Sequence, residues 1–197
     1  MNQAPRLTSA RWRPCLAFIA LGAAALAAQA EPFTAGSGYM GLNVGKPSFK
    51  TDCGNAGFNC DNPNASFKLY GGAMFNQHFG AELGYLNMGK AERGGGHSKA
   101  EGINMSLVGH VPLGESRFGA FAKGGATYGR TRVDAQSASG IATGRESGWG
   151  GAYGAGVDYA LSPTSAVVLE WEHHDFRFPG TGREGVAATS LGFVKRF

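Results

Sequence analysis

The sequence predicts an all-β protein, an eight-stranded antiparallel up-and-down transmembrane β-barrel. Three observations predict this fold class. Segments of alternating apolar and polar residues recur along the chain, short and long connections separate them in turn, and no apolar run beyond the N-terminal segment could span a bilayer as a helix. Because backbone polar groups inside a bilayer must be paired within the protein, strands cross it only as a closed barrel.

The N-terminal segment predicts export. Residues 1–30 contain three arginines, then the apolar run "CLAFIALGAAALAA", then "AQA" ahead of Glu31. A basic start, a short apolar run and a small-residue cleavage site are typical of a secretory signal peptide, and the run is short for a transmembrane helix. We therefore expect 1–30 to be a cleaved signal peptide and 31–197 to be the barrel.

The charge balance argues against one class of partner. The chain has 18 Lys and Arg against 14 Asp and Glu, and residues 1–30 hold three of the cations and none of the acids. Export would leave 15 cations and 14 anions, so the pI of about 9.1 mostly reflects the leader. A nearly neutral chain offers no electrostatic basis for binding nucleic acid.

The strands can be read in order from their period of two. In the clearest hairpin, Phe67, Leu69 and Ala73 share one face before "NQH", and Ala81 and Leu83 share one face after it. This alternation is typical of half-buried strands. Six further segments complete eight strands, and their apolar faces hold Met40, Leu42 and Val44; Ile103, Met105, Leu107 and Val111; Phe118, Ala120, Ala122, Ala126 and Tyr128; Trp149, Tyr153, Ala155, Val157 and Tyr159; Val167, Leu169 and Trp171; Leu191, Phe193 and Phe197.

The connections predict which end of the barrel is which. "NQH", "PLGES" and "SPTS" are short, and polar stretches of about 47–65, 90–101, 130–147 and 173–185 are long. Short turns on one rim and long loops on the other are typical of outer-membrane barrels, with both termini on the periplasmic side. We therefore predict a bacterial outer-membrane location.

Aromatic residues predict the height of the lipid-facing band. Phe118 and Tyr128, like Trp149 and Tyr159, lie ten residues apart on one face, a rise of roughly 25 Å for a tilted strand, which matches the apolar band between two aromatic girdles. The periplasmic girdle is predicted to contain Phe75, Phe79, Phe118, Tyr159 and Phe197. The outer girdle is predicted to contain Tyr85, Tyr128, Trp149 and Trp171.

A soluble secreted barrel that carries small lipophiles is the alternative. Its outer surface would need many charges. The polar face here consists mainly of Gly, Ala, Ser and Asn, which suits the crowded interior of an eight-stranded barrel better.

Four stretches resemble the transmembrane domain of OmpA-type outer-membrane barrels: "YGGAMFNQHFGAELGYLNMG", "GAGVDYALSP", "VVLEWEHHDF" and "SLGFVKRF". The resemblance implies that Ser190, Gly192 and Phe197 belong to a C-terminal signal for the barrel-assembly machinery, although Lys195 stands where the family usually has a second aromatic. The family's peptidoglycan-binding domain has no counterpart after the barrel, so no cell-wall tether is expected.

The interior face predicts a charge network. It is predicted to hold Lys68, Glu82, His110, Lys123, Asp158, Glu170, Glu172 and Arg196. Because unpaired charges are costly in a packed lumen, we expect Glu82, Asp158 and Glu170 to pair with Lys123 and with Lys68 or Arg196. Glu82 and Lys123 also match interior charged positions of the resembled family. A structural plug is favoured over an ion path.

The predicted loops contain one cysteine pair. Cys53 and Cys60 are the only cysteines after residue 30, and in an oxidising compartment we expect a disulfide between them. Closing this loop is worth about 2.5 kcal/mol on a chain-entropy basis. Two free thiols are the alternative, and a metal site would need more ligands than the stretch supplies.

"EHHD", Glu172 to Asp175, is the most enzyme-like stretch. Some eight-stranded outer-membrane barrels are lipid A deacylases that use a His, a Ser two residues later and an acid, but Asp175 and Phe176 follow the histidines here. Adjacent His173 and His174 point to opposite faces of a strand, so they do not readily bind one metal. We assign no catalytic, cofactor-binding or metal-binding residue.

Three functions remain open, in falling order of support: a structural or surface-interaction barrel that acts through its extracellular loops, a narrow passive channel, and a lipid A-modifying enzyme. The expected partners are outer-membrane lipid and lipopolysaccharide, together with the barrel-assembly machinery during biogenesis. We expect a monomer that uses no cofactor.

Overall fold

A computed structural model describes residues 36–50 and 60–197, except for the side chain of Cys60. The predicted signal peptide and Cys53 therefore lie outside the described residues. Strands dominate the described chain, with one short 3-10 helix at Ser137–Ser139. The strands are β1 (Gly38–Phe49), β2 (Cys60–Asp61), β3 (Ser66–Met74), β4 (Phe79–Arg93), β5 (Gly96–Pro112), β6 (Phe118–Asp134), β7 (Gly144–Ser162), β8 (Ser165–Phe178) and β9 (Gly182–Arg196).

Eight of these strands form a closed antiparallel barrel, so the predicted fold class is confirmed. Each pairs with its neighbours in chain order, and β1 closes the ring by pairing with β9, where Leu42 lies opposite Phe193. β2 has two residues and extends the sheet only at the end of β4, where Cys60 lies opposite Arg93. Within residues 36–50 and 60–197, no helix is long and apolar enough to cross a membrane.

The alternation of side chains has the predicted orientation. Leu107 and Leu191 on the outward face are 68% and 60% exposed, whereas Lys68 and Glu82 on the inward face are each 4% exposed. A side chain is therefore buried when it points toward the axis of the barrel, whether or not it is hydrophobic. Such a surface requires an apolar solvent around it.

The barrel has two different ends. The turn end carries the short connections and Phe197, whose backbone N–H donates to Gly38 O. The loop end carries the other connections, but most are shorter than predicted. β4 continues to Arg93, and β5 already begins at Gly96. The expected loop over 90–101 is therefore wrong, and a tight turn at Gly94 and Gly95 connects the two strands.

The strands continue because alternation persists in polar sequence. Ala91 and Ala100 are buried while Lys90 and Glu92 point outward, so the "KAER" and "SKAE" stretches keep a period of two. β6, β7, β8 and β9 likewise extend into stretches predicted to be loops.

An apolar cluster fills the barrel at its loop end. Phe176 and Phe178 on β8 are almost fully buried and pack with side chains from several other strands. We call this set the loop-end cluster, and it comprises Phe49, Leu86, Met88, Ala91, Ala100, Val133, Phe176, Phe178, Val186 and Ala188, with Ile141 against it.

Candidate functional site

Two buried lysines and three buried glutamates meet in the middle of the lumen. Lys123 Nζ lies 2.8 Å from Glu82 Oε2 and 2.5 Å from Glu170 Oε1. Lys68 Nζ lies 2.9 Å from Glu82 Oε1, 3.8 Å from Glu170 Oε1 and 2.5 Å from Glu172 Oε1. We call these five residues the ion cluster. It connects β3, β4, β6 and β8 across the lumen.

Neutral side chains hold the carboxylates in place. The Asn43 amide donates to Glu170 Oε2 at 2.6 Å and to Ser190 Oγ at 3.3 Å, and the Tyr39 hydroxyl donates to Glu82 at 3.4 Å. Hydrogen bonds of this kind offset the cost of desolvating buried charge.

An aromatic ring supports both ammonium groups. Lys68 Nζ and Lys123 Nζ lie 4.9 Å and 4.8 Å from the centre of the Tyr70 ring. A cation over a ring face is attracted by the quadrupole of the ring. The Tyr70 ring reaches this position by lying over Gly41, where a Cβ would be only 2.3 Å from it.

His174 extends the ion cluster toward the loop end. Its Nε2 lies 3.9 Å from Glu172 Oε2, and its Nδ1 shares a hydrogen bond of 2.8 Å with the Thr127 hydroxyl. An acid, an imidazole and a hydroxyl thus stand in series, as in a catalytic triad. Thr127 and His174 are 0% and 1% exposed, so no substrate reaches this hydroxyl in the structure.

The second ionic group lies nearer the turn end. Asp158 is 2.8 Å from His110 Nε2 and 3.3 Å from an Arg196 guanidinium nitrogen. We expected Glu82, Asp158 and Glu170 to form one network with Lys123 and with Lys68 or Arg196. The structure pairs Asp158 with Arg196, but in a group separate from the lysines. The reason is position along the strands: Asp158 lies opposite Gly119, close to the turn between β5 and β6.

A small cavity separates the two ionic groups. Its volume is about 50 Å³, room for little more than a water molecule or two. Its walls include Tyr39, Phe121, Val108, Val168 and Val194, with Glu82 and Lys123 on one side and His110, Asp158 and Arg196 on the other.

Sequence reasoning identified the two lysines, Glu82 and Glu170, and it missed other participants, among them Glu172, Asn43 and Tyr39. Glu172 was assigned to the interior without a partner, and Asn43 and Tyr39 were not assigned to the interior at all. Their parity was available in the sequence: Tyr39 and Asn43 alternate with Met40, Leu42 and Val44 on β1. The alternation shows which residues point inward, but it does not show which inward residues of distant strands lie at the same level in the barrel.

A model of the family described as "Outer membrane protein beta-barrel domain" matches residues 15–197. The chain belongs to this family. No curated protein matches it in sequence.

Solved outer-membrane barrels share the fold at low sequence identity. OprG from Pseudomonas aeruginosa has a TM-score of 0.60 at 15% identity, covering 84% of this chain and 98% of OprG. Ail, the attachment invasion locus protein of Yersinia pestis, has a TM-score of 0.56 at 20% identity, covering 83% of this chain and 100% of Ail. Neisserial surface protein A has a TM-score of 0.58 at 12% identity, covering 82% of this chain and 96% of that protein. These likenesses concern the fold.

Aromatic side chains form pairs on the outward face of this outer-membrane barrel. Phe118 and Tyr159 lie opposite each other with ring centres 4.9 Å apart, and Tyr128 and Trp149 do so at 5.3 Å. Tyr85 belongs to the same row as Tyr128 through Ile103. Phe75 and Phe79 flank the turn between β3 and β4 at the turn end.

Trp171 does not lie where the outer girdle was predicted. It is opposite Ala155, in the middle of the paired part of β7, and its ring packs on Tyr153 at 5.8 Å. The period of two identified the face of the strand correctly, but it does not determine how far along the barrel axis a residue lies. Trp171 lies well below Trp149, toward the turn end.

The two adjacent histidines lie on opposite sides of the barrel wall. His174 is inside, whereas His173 faces outward, stacks on Tyr153 at 4.9 Å and lies 3.3 Å from Asp175. In residues 36–50 and 60–197, no group of three or more His, Cys, Asp or Glu side chains could hold a metal ion.

The proposed assembly-signal residues have structural contacts. Ser190 is buried and lies 3.3 Å from the Asn43 amide nitrogen, and Gly192 faces Asn43 from β9. Phe197 is 73% exposed on the outward side of the turn end.

Proposed function

We propose that this protein is a closed outer-membrane barrel with a structural or surface-interaction role, exerted through its loop end on the outside of the cell, and that it neither conducts ions nor catalyses a reaction. The observation that carries the proposal is the ion cluster. Five charged side chains from four strands join across the lumen by contacts of 2.5–3.8 Å.

The geometry of a small barrel supports closure. Eight strands leave an interior that side chains can fill, unlike the wide lumen of a porin. A permeating ion would have to separate Lys123 from Glu82 and Glu170, each of which is at most 9% exposed. Separating a buried, hydrogen-bonded pair costs several kcal/mol, so passage would be rare.

The loop-end cluster supports closure at a second level. Phe176 and Phe178 fill the lumen with apolar side chains between the ion cluster and the loop end. A hydrated ion gains nothing in such a constriction, and dewetting of apolar constrictions closes channels.

A narrow passive channel is the second candidate, and the small cavity between the two ionic groups favours it. That cavity shows that the lumen is not packed solid between the ion cluster and the group formed by His110, Asp158 and Arg196. A path would require both ionic groups and the loop-end cluster to rearrange together.

Single-channel recording in planar bilayers separates the two candidates. For the closed barrel we expect no discrete conductance steps from the purified protein. Steps that occur in the wild type and disappear in Glu82→Ala, but persist in Glu101→Ala on the outward face, would identify a pore through the ion cluster. A lipid A deacylation assay on the refolded protein tests the catalytic alternative, for which we expect no product.

Labelling of intact cells tests the orientation. We expect a cysteine at Ala142, in the exposed connection between β6 and β7, to react with an impermeant maleimide. A cysteine at Glu115, in the exposed turn between β5 and β6, should react only after the outer membrane is opened. The reverse pattern would contradict the proposal. We also propose export by cleavage after Ala30, a monomeric state and assembly by the barrel-assembly machinery.

A further inference from the structure

A row of positive charges crosses four adjacent strands near the loop end. Lys90 on β4 lies opposite Lys99 on β5, Lys99 lies opposite Arg132 on β6, and Arg132 lies opposite Arg145 on β7. We call these four residues the cation row. Lys90, Arg132 and Arg145 are exposed and Lys99 is half-buried, and all four point away from the lumen.

Such an arrangement is unfavourable unless something offsets it. Residues directly opposite each other on neighbouring strands have Cβ atoms about 5 Å apart, and like charges at that distance destabilise a sheet. Three successive pairs of like charges therefore repel each other along the row. The outer wall at this height would accept a neutral polar residue at each position, so packing does not require the four cations.

Neighbouring carboxylates offset only part of this charge. Lys99 lies 2.7 Å from Glu101, and Arg132 Nε lies 3.0 Å from Asp134. Among the residues that the structure describes, no carboxylate is within ion-pairing distance of Lys90 or Arg145. The two ends of the cation row are therefore available to an external anion.

Arg130 also has no carboxylate of the described residues within ion-pairing distance, and it lies two residues from Arg132 on β6, on the side toward the turn end. It lies between Glu101 and Ser147 in the strand register. Two further carboxylates border the area, since Glu92 lies opposite His97 and Glu146 lies opposite Thr131. Glu101, which lies opposite Arg130, attracts its guanidinium group without forming an ion-pair contact. The area thus combines ion pairs with two guanidinium groups, those of Arg130 and Arg145, that have no ion-pair contact with the described residues.

These side chains enclose a recess on the outer wall. Its volume is about 480 Å³, and it is lined by four cations, two carboxylates and two hydroxyl residues: Lys99, Arg130, Arg132 and Arg145; Glu101 and Glu146; Thr131 and Ser147. The cations therefore outnumber the carboxylates by two. The volume is ample for a phosphate group. Guanidinium groups donate paired hydrogen bonds that match phosphate geometry, and a lysine adds a point charge.

The position of the recess indicates the source of the phosphate. Two rows below the cation row, Ile103, Tyr128 and Trp149 lie opposite one another on the same three strands. Four residues of strand separate these rows, about 13 Å along the strand. Paired aromatic rings on a barrel wall mark the edge of the hydrocarbon, so the recess lies at the depth of lipid headgroups.

We propose that the cation row and Arg130 form a binding site for the phosphate groups of a phosphorylated glycolipid in the outer leaflet. The sugar backbone of the lipid lies against the recess, and its acyl chains pass down the wall beside Tyr128 and Trp149. Arg130 and Arg145 hold one phosphate, and Lys90 extends the positive surface around the barrel. This proposal rests on the orientation given above, with the loop end outside.

Binding of a defined lipid tests the site. The protein is reconstituted in zwitterionic nanodiscs and titrated with bisphosphorylated lipid A or with the same lipid after enzymatic removal of both phosphates. We expect the phosphorylated form to bind at least about tenfold more tightly, because each cation near an anionic lipid surface contributes appreciably to binding. Equal binding of the two lipids would overturn the proposal.

A matched pair of variants locates the site. Lys90→Gln/Arg145→Gln removes the two members of the row that have no carboxylate partner, so it breaks no ion pair. Lys46→Gln/Lys50→Gln removes two exposed lysines of β1 and the residue that follows it, also at the loop end. We expect the first variant to lose roughly tenfold in affinity for bisphosphorylated lipid A and the second to change less than about twofold. Similar losses in both would mean diffuse attraction and would contradict a site.

Inorganic phosphate identifies the source of the ligand. At millimolar concentration it should compete only weakly with lipid A, because it lacks the sugar and the acyl chains. If phosphate alone binds as tightly as the lipid, the site serves a free anion and the glycolipid proposal is wrong. Conductance and cell labelling are separate measurements, so a failure of the proposed function remains distinguishable from a failure of lipid binding.

Discussion

Asn43 on β1 lies directly against Gly192 on β9, and a Cβ added to Gly192 would be 1.8 Å from Asn43 Oδ1. The same Asn43 donates to Glu170 at 2.6 Å. The missing side chain at Gly192 therefore makes room for the residue that connects β1 to the ion cluster. A glycine that resembles part of an assembly signal also has a packing role inside the barrel.

We predict that Gly192→Ala destabilises the barrel. The added methyl group would also come within 2.8 Å of Leu42 O, so backbone as well as Asn43 must shift, and forcing atoms into a packed interior costs about 1–3 kcal/mol. Urea unfolding in lipid vesicles measures the loss. Gly124→Ala is the control, because nothing lies within 4 Å of a Cβ at Gly124. Equal stability of both variants would show that Asn43 is not confined by Gly192.

We predict that Glu82→Ala strongly destabilises the barrel. Glu82 lies 2.9 Å from Lys68 Nζ and 2.8 Å from Lys123 Nζ, and removing it leaves two buried ammonium groups with one carboxylate fewer between them. Breaking a buried ion pair from one side typically costs about 3–5 kcal/mol. The measurement is the free energy of unfolding in urea with vesicles present.

Glu101→Ala is the matched control for Glu82→Ala. Its carboxylate lies 2.7 Å from Lys99, but this pair is on the outer wall with both side chains about one-third exposed. Exposed pairs contribute about 0–1 kcal/mol, so the expected loss is small. If Glu82→Ala lowers the free energy of unfolding no more than Glu101→Ala does, then water, and not the two lysines, stabilises the charge of the interior glutamates.

The fold and the wall of the barrel were predictable from the sequence because a period of two assigns each residue to one face. Leu42, Leu83 and Leu191 are exposed and Lys68 and Lys123 are buried, as the alternation requires. A soluble protein would reverse this distribution. The count of eight strands followed from the alternating segments themselves, which short and long polar connections separate.

The strand ends and the contacts inside were not predictable in the same way. Lys90 and Arg130 occur in polar stretches that look like loops, although they continue β4 and β6 with their period intact. Contacts such as that between Lys68 and Glu172 depend on the register of strands far apart in sequence, and one residue of register decides whether two side chains meet. For this reason Asp158 was assigned the correct face and one correct partner, Arg196, but was also expected to join Lys123, and its contact with His110 was not predicted.

The depth of the two tryptophans is a test of both orientation and register. Trp149 and Trp171 are the only tryptophans after residue 30. In vesicles of brominated lipid, we expect a Trp171→Phe variant, which retains Trp149, to be quenched best by bromine near the headgroup. A Trp149→Phe variant, which retains Trp171, should be quenched best by bromine deeper in the acyl chain. Weak quenching of both would place the apolar face inside the barrel and reject the membrane orientation.

The predicted disulfide can be tested at the end of β4. Cys60 begins β2, which pairs with Arg93 and Glu92, so a bond from Cys60 to Cys53 would tie residue 53 to this edge of the sheet. We expect the chain to be two hydrogens lighter by mass spectrometry without reductant than after reduction. Cys60→Ser should lower the free energy of unfolding by no more than about 2.5 kcal/mol, because the loop is short. An unchanged mass on reduction would mean two free thiols.

A substitution at Phe197, the last residue, distinguishes a role in assembly from a role as an interfacial anchor. Phe197 is 73% exposed, and its backbone N–H already closes the ring by donating to Gly38 O at 2.9 Å, so its side chain is not needed for pairing. We expect Phe197→Ala to fold into vesicles at a rate within about threefold of wild type, because the side chain of a terminal residue contributes little to strand pairing. In cells the same variant should reach the outer membrane in clearly smaller amounts if Phe197 is read by the barrel-assembly machinery. Phe193→Ala is the control, because Phe193 lies on the same outward face of β9 but away from the terminus. Equal reductions for both variants, in vesicles and in cells alike, would reduce the role of Phe197 to that of any other lipid-facing aromatic residue.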